Sequence, residues 1–372
     1  MSNLSLSNML NPRPGWYRGD LHAHTNASDG VYPSPVLVEI AEAEGLDFLA
    51  ITDHNSIDAL SQLGDKSSLL IIPGMEVTLD HGDFNVFGML DRRDWMKQIC
   101  TGQMRVPLRG RYPTTTDLMR STAAAGLLNS INHPILPPWE WRYGATDLRY
   151  VHCLEVCNDP YYPDNAHANP QAVALWTAWL NAGYRITAVG GSDYHYPPRP
   201  AEGDPGMRLG LPSTYVWAEE LSVLAILKGL RERRAYVSVG PQVTFQARAN
   251  STVYGVGEDV GQLSGEIEFT ARVAVGNAPA RAQILKNGRV MAEGLMRDSG
   301  EGLVVQTAAD PARSDWYRLD VLDQGGQLLA ITNPIFVGPA CIPRLNKYSD
   351  FIDLSGRDRA ARPGESEEVP ME

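Results

Sequence analysis

Histidine and cysteine are scarce in this chain, with eight and four residues among 372. The four cysteines, Cys100, Cys153, Cys157 and Cys341, show no Cys-x-x-Cys spacing. Cys153 and Cys157 lie in or beside an apolar run, so free buried thiols are a better reading than metal ligands. Basic residues are outnumbered, with 32 Lys and Arg against 44 Asp and Glu and a formal net charge of −12. That balance argues against a general nucleic-acid or anionic-membrane surface, although bound metal ions would still admit an anionic substrate. No run approaches the roughly 18 apolar residues of a membrane span. The polar start, Met1 to Met9, lacks the regions of a signal peptide. A soluble cytoplasmic protein with a small-molecule substrate is the expectation, and its oligomeric state is open.

A chain of this length exceeds one average domain, and its hydrophobic share of 43% is ordinary for a globular protein. From about residue 18 to 240, apolar runs alternate with amphipathic segments. Leu46 to Ile51, Leu69 to Ile72, Leu127 to Ile131 and Arg185 to Val189 read as buried strands. Ser34-Pro35 reads as an N-cap with proline at the first helical position, and Gly45 as the stop. Asn169-Pro170 opens another helix that Gly183 ends, and Glu219 to Arg233 forms a last one. This alternation predicts an α/β fold with a mainly parallel sheet, and barrel-like closure is the simplest way to gather its strand ends. After Gly240-Pro241 the pattern changes to period two, with Lys286-Asn287-Gly288 and Gln324-Gly325-Gly326 as hairpin turns. The predicted division is a barrel over 1–241, a small antiparallel β-sandwich-like domain over 242–340 and a charged tail within 341–372.

Five of the eight histidines fall in blocks at predicted strand ends. The blocks are Asp20-Leu21-His22-Ala23-His24-Thr25, Ile51-Thr52-Asp53-His54, Asn132-His133-Pro134 and Gly190-Gly191-Ser192-Asp193-Tyr194-His195. A further block, Pro73-Gly74-Met75-Glu76, ends in a carboxylate. Side chains alternate with period two along a strand, so His22 and His24 share a face, as do Asp193 and His195. Glu76 has two oxygens with which to bridge two ions. Imidazole with carboxylate suits zinc, manganese or iron(II) without selecting among them. Any block alone reads equally well as a core histidine or a helix cap; the ordered set does not.

On these blocks the chain resembles the PHP family, named for polymerase and histidinol phosphatase domains. Within it, the similarity is to the branch of stand-alone metallohydrolases that includes carbaryl hydrolase. The resemblance runs through residues 18–240 and extends to the β-rich C-terminal portion. It implies a distorted barrel of seven β/α units that holds two or three divalent ions. It also implies His22, His24, Glu76 and Asp193 around one ion, Glu76 and His133 at a second, and His54 and His195 at a third, with Asp29 an added candidate. The branch carries a Gly-His pair after the glutamate, where this chain has His81-Gly82-Asp83-Phe84-Asn85. Either Asp83 supplies an oxygen ligand there, or His81 reaches in from two residues earlier.

Other residues have paired readings. Glu155 matches a strand-end glutamate of the branch; it could order the groups behind the ligands, contact substrate or form a structural salt bridge. Arg18 and Arg149 are candidates for anion binding or ordinary surface arginines. Trp139, Trp141 and Tyr143 could form a pocket wall or simply pack a loop. His152 and His167 lack motif context and read as structural. Two ions sharing Glu76 would acidify a water and neutralise charge growing in the transition state. Asp193 would anchor that centre, and His54 or His195, if not ligating, would protonate the leaving group. The resemblance implies phosphoester hydrolysis first and carbamate, carboxylic ester or amide hydrolysis second. A catalytically idle metal-bound scaffold is the third reading.

Overall fold

The computed structural model describes residues 6, 9–63, 68–198, 206–276, 278–297 and 301–354. In chain order, its first part runs β1 (Met9–Asn11), β2 (Gly15–Asp20), α1 (Ser34–Ala43), β3 (Phe48–Ile51), β4 (Leu70–Leu79), β5 (Gly82–Phe87), α2 (Met96–Ile99) and α3 (Thr115–Ala124). Then come β6 (Leu128–Ile131), β7 (Cys153–Asn158), α4 (Asn165–Asn181), β8 (Thr187–Gly191), β9 (Ser213–Ala218), β10 (Leu221–Ser222), α5 (Val223–Arg231) and β11 (Ala235–Ser238). The C-terminal strands are β12 (Gln242–Ala249), β13 (Thr252–Tyr254), β14 (Gly265–Ala274), β15 (Ala280–Lys286), β16 (Arg289–Met296), β17 (Gly302–Ala309), β18 (Asp315–Leu322), β19 (Leu328–Thr332) and β20 (Ile335–Val337). No helix among the described residues is long and apolar enough to cross a membrane.

The apolar runs become strands buried on both faces, as a sheet covered from both sides requires. Strands β2, β3 and β4 are parallel, as are β6, β7 and β8. The expected parallel order is broken by β5, which folds back antiparallel on β4 and passes antiparallel to β6. A tight connection through Asp80 and His81 makes this hairpin. Gly82 is required after it: its φ is +130°, and a Cβ there would sit 2.8 Å from Trp141 Cα.

The mixed α/β character is as expected, but backbone pairing does not confirm closure of a (β/α)7 barrel. The hydrogen-bonded path runs β9-β2-β3-β4-β5-β6-β7-β8 and does not return by a backbone ladder from β8 to β9. Side chains stitch that seam instead. Thr214 Oγ1 accepts from Gly190 N (2.9 Å) and donates to Gly190 O (2.7 Å). Asn333 accepts from Ala188 N (2.8 Å) and donates to the carbonyls of Ala188 and Ala235, both at 2.9 Å. A Cβ at Gly190 would lie 2.6 Å from Val237 Cγ1, so only glycine lets the seam close this tightly.

Helix limits also differ from expectation. Ser34 is the first residue of α1, and its hydroxyl donates to Ala59 O instead of capping. Helix α4 starts at Asn165, four residues before Asn169, and contains Pro170. Its start is anchored by Asn165 Nδ2, which donates to Asn158 Oδ1 at 3.0 Å. Helix α5 is shorter than Glu219 to Arg233, because Ser222 caps it by accepting from Ala225 N.

Beyond β11 the strands pair antiparallel in two layers. One has the order β13-β12-β14-β17; the other, β16-β15-β18-β19, continues into β11. Strand β12 alternates exposed and buried along its length, as a half-buried strand should. Between the layers Phe269 stacks on Tyr317 with ring centroids 4.1 Å apart. The Lys286-Asn287-Gly288 turn has φ of 52° at Asn287 and 81° at Gly288, the left-handed pair such hairpins need. Residues 341–354, grouped with the tail by composition, include Tyr348, which is fully buried and donates from its amide to Thr146 O. The rest of the expected tail, 355–372, lies outside the described residues.

Candidate metal centre

Glu76 lies at the middle of the cluster. On its Oε1 side stand His22 Nε2 at 3.3 Å, His133 Nε2 at 3.4 Å and Asn132 Nδ2 at 2.7 Å. His54 Nδ1 at 2.8 Å and His24 Nε2 at 3.5 Å approach Oε2. Asp193 Oδ1 lies 3.2 Å from His22 Nε2 and 3.0 Å from His24 Nε2. Asp29 Oδ1 meets the Nε2 atoms of His195 (3.2 Å) and His54 (3.5 Å). The donors fall into four overlapping groups whose ligand atoms lie within 4.8 Å of one another: His22, His24, Glu76; His22, His133, Asp193; Glu76, Asp83, His133; and His24, Asp29, His54, His195.

Local structure explains the convergence. The parallel strands deliver His22, His24, His54, His133, Asp193 and His195 just beyond their C-terminal ends. His133 (φ 25°) and Asp193 (φ 52°) take backbone conformations that side chains other than glycine rarely adopt. In the β4–β5 ladder Glu76 faces Asn85 and Thr78 faces Asp83, so those four side chains share one side. Asp83 therefore joins the cluster, whereas His81 is exposed in the turn, its ring 5.8 Å from that of Tyr143.

Two motif aspartates brace the blocks without ligating. Asp20 accepts from the amides of His22 (3.1 Å), Ser192 (3.0 Å) and Gly210 (2.7 Å), tying the first block to the last. Asp53 accepts from Thr25 N, Thr25 Oγ1 and Ser28 Oγ at 2.7–2.8 Å, which shapes the loop that carries Asp29.

The donor set fits divalent cations. His22 Nε2, His24 Nδ1, His133 Nδ1 and Glu76 Oε2 are buried without a hydrogen bond, despite their close neighbours. Buried polar atoms in that state are costly unless something coordinates them. The rings of His24 and His195 lie 4.1 Å apart, and those of His24 and His54 4.4 Å apart. Burial and these two imidazoles push His24 down to about 4, so the ring stays neutral and keeps one nitrogen free of a proton. Burial opposes protonation of His133 and His195 as well. It is outweighed by Glu76 for His133 and by Asp29 and Asp193 for His195, and both rise to about 9. Glu76 and Asp193 lie well below the usual carboxylate range, because nearby imidazoles outweigh burial. Burial and then the charge of Glu76 lift Asp83 to about 7. Such a cluster holds protons where a cation would otherwise sit.

All nine candidate ligands, His22, His24, Asp29, His54, Glu76, Asp83, His133, Asp193 and His195, are in these groups. The substrate-contact candidates fare differently. Trp139 lines a cavity of about 180 Å3 over the cluster, together with Asp29, His54, Asp83, His133, Asp193 and His195. Trp141 is fully buried, and its ring packs edge-on to Tyr143 away from that cavity. Glu155 does not reach the cavity. It lies buried behind His22, 3.1 Å from Nδ1, and accepts from His133 N (2.7 Å) and Asn158 Nδ2 (3.2 Å). Arg18 is also engaged elsewhere, donating to Ser213 Oγ and Glu44 O at 2.8 Å. Arg149 is exposed and paired with Asp147. His152 accepts from Asn129 N, and His167 is exposed on α4.

Sequence reasoning missed Thr78, whose Oγ1 is 2.6 Å from His54 Nδ1, and Arg105, the one arginine among the described residues that lines the cavity. Neither sits in a block with a metal-ligand pattern. Only the alternation that places Thr78 two residues after Glu76 could have signalled it.

No family model and no curated protein matches the chain. Among solved structures, it is similar to a two-domain protein from Bacteroides vulgatus ATCC 8482 that contains a predicted PHP-like metal-dependent phosphoesterase. The identity is 18% and the TM-score 0.48, over 90% of this chain and 100% of that one. It is also similar to a protein from Bifidobacterium adolescentis ATCC 15703 assigned as a metal-dependent phosphoesterase, at 17% identity and TM-score 0.35, over 56% and 95% of the two chains. An amidohydrolase from Chromobacterium violaceum matches at 15% identity and TM-score 0.34, over 50% and 90%.

Proposed function

We propose that this chain is a metal-dependent hydrolase of PHP type that acts on a small phosphate ester. The supporting observation is the sharing of Glu76 among overlapping groups of buried nitrogen and oxygen donors, with His22 Nε2, His24 Nδ1 and Glu76 Oε2 left without hydrogen bonds. His22, His24, Glu76 and Asp193 would hold one divalent ion, Glu76, Asp83 and His133 a second, and Asp29, His54 and His195 a third. Zinc, manganese and iron(II) suit this mixture of imidazole and carboxylate. Bound there, such ions supply Lewis-acid polarisation and acidify water near neutral pH.

The protein's own groups set the geometry. Glu155 fixes His22 through Nδ1, which turns Nε2 toward Glu76 and Asp193. His195 Nδ1 donates to the Asp193 carbonyl at 2.7 Å, which leaves Nε2 to face Asp29. Where His195 is not ligating, that nitrogen holds the proton for the leaving oxygen. In the reaction a bond forms from water oxygen to phosphorus, the ester P–O bond breaks, and the departing alkoxide takes the proton.

A second reading, hydrolysis of a neutral carbamate, carboxylic ester or amide, draws on the apolar residues that line the cavity, Met104, Leu136, Trp139 and Met207. A paired assay on metal-reconstituted protein separates the two, using nitrophenyl phosphate, a naphthyl carbamate and nitrophenyl acetate. The expected result is turnover of the phosphate with inhibition by free inorganic phosphate. Turnover confined to the neutral substrates would favour the second reading. No turnover by fully metallated protein would leave an idle scaffold.

A further inference from the structure

Arg105 lines the cavity beside Asp83 and His133. Its Nη1 is buried and makes no hydrogen bond among the described residues, and its charge acts on the neighbouring Asp83 carboxyl. The backbone on either side is clamped. Asn55 directly follows the candidate ligand His54 and has a φ of 49°. Its Nδ2 donates to the carbonyls of Gln103 (3.4 Å) and Met104 (3.1 Å). Val106, fully buried, donates its amide to Thr78 O at 3.3 Å, and Thr78 Oγ1 in turn contacts His54 Nδ1. Residues that hold His54 in the cluster therefore also hold the segment presenting Arg105.

A guanidinium nitrogen buried without an acceptor is costly, and a structure that fixes its backbone at two points keeps it there. An anion entering the cavity would supply the acceptor. Leu136, Trp139 and Tyr162 give the same cavity an apolar, ring-bearing wall, and Trp139 and Tyr162 pack edge to face at 6.0 Å.

We propose that Arg105 is the specificity-determining residue for the reaction. It takes the non-bridging oxygens of a phosphate ester while the apolar wall receives the ester's leaving group. This deepens the hydrolase reading above and rests on it. The planar guanidinium fork matches two phosphate oxygens at once, whereas a neutral carboxylic ester has no anionic pair to offer.

The test compares wild type with Arg105→Gln and Arg105→Lys, each metal-reconstituted and checked for metal by elemental analysis. One arm measures the affinity for inorganic phosphate by calorimetry. The other measures kcat/KM for nitrophenyl phosphate and nitrophenyl acetate. Losing a charge-assisted hydrogen bond should weaken phosphate binding by roughly tenfold to a hundredfold in Arg105→Gln. The phosphate-to-acetate ratio of kcat/KM should fall with it, Arg105→Lys should recover part of the loss, and added guanidinium ion should partly rescue Arg105→Gln. Unchanged phosphate affinity at full metal content would overturn the proposal, and so would an equal loss on both esters. If metallated wild type hydrolyses neither ester, the hydrolase reading fails, and the calorimetric arm still decides whether Arg105 binds the anion.

Discussion

Replacing Glu76 by glutamine keeps the side-chain size and removes one buried negative charge from the middle of the cluster. Four imidazole nitrogens lie 2.8–3.5 Å from the Glu76 oxygens, and two of the four donor groups include this residue. In chelated protein the carboxyl lies well below its ordinary 4.5, since His22 and His54 outweigh the cost of burial. A carboxyl depressed on folding contributes stability above its unfolded pKa and loses it as pH falls through the folded value. At neutral pH that contribution is fully present, and removing one partner from a buried charged set costs roughly 3–5 kcal/mol. Metal adds to the contrast: a ligand at a hundred times its Kd stabilises by roughly 2.7 kcal/mol. Wild type should gain that on addition of zinc or manganese, and Glu76→Gln should gain little. The assay is urea unfolding of both proteins with chelator and with metal, alongside elemental analysis and turnover. The variant should be less stable in chelator, hold less than one equivalent and lose at least about a hundredfold in rate, because the ions carry the charge stabilisation. Full metal content with wild-type turnover in Glu76→Gln would refute the proposed centre, as would a wild type whose stability ignores metal.

Three further outcomes are expected. Glu155→Gln should weaken metal affinity roughly ten- to a hundredfold, because His22 loses the carboxylate that orients it, while saturating metal restores much of the rate; metal titration reads this out. Thr214→Val should lower unfolding free energy in urea by roughly 1–3 kcal/mol, since the buried amide of Gly190 loses its partner at the seam. His152→Gln should flatten stability between pH 6.5 and 4 with turnover near wild type. Burial and then Arg231 push His152 down to about 4, and its Nδ1 accepts from Asn129 N. The unfolded chain therefore binds the proton first, so stability is full above 6.5 and falls by roughly 3 kcal/mol as pH drops to 4, a slope that pH-dependent melts would show missing in the variant.

The amino-acid sequence by itself determined what depends on near neighbours. The blocks at the strand ends were legible as candidate ligands, but His22, His24, Asp193 and His195 lie just past β2 and β8, and Asp193 is left-handed, so strand alternation is not what brings them together. The Lys286-Asn287-Gly288 turn was legible because left-handed backbone favours those residue types. The tertiary structure decided what depends on contacts between distant segments. Asp83 rather than His81 enters the cluster because the β4–β5 register sets it opposite Thr78. Asp20 and Asp53 stand in the same blocks as the ligand candidates, and amides and hydroxyls from other loops claim their oxygens. Glu155 reaches His22 across 133 residues, and Thr214 reaches Gly190 across 24. Arg105 carries no motif at all; it matters only because Asn55 and Thr78 fix its backbone beside the same cavity. Hydrogen bonds of that kind depend on where the chain returns in space, which periodicity along the chain does not record.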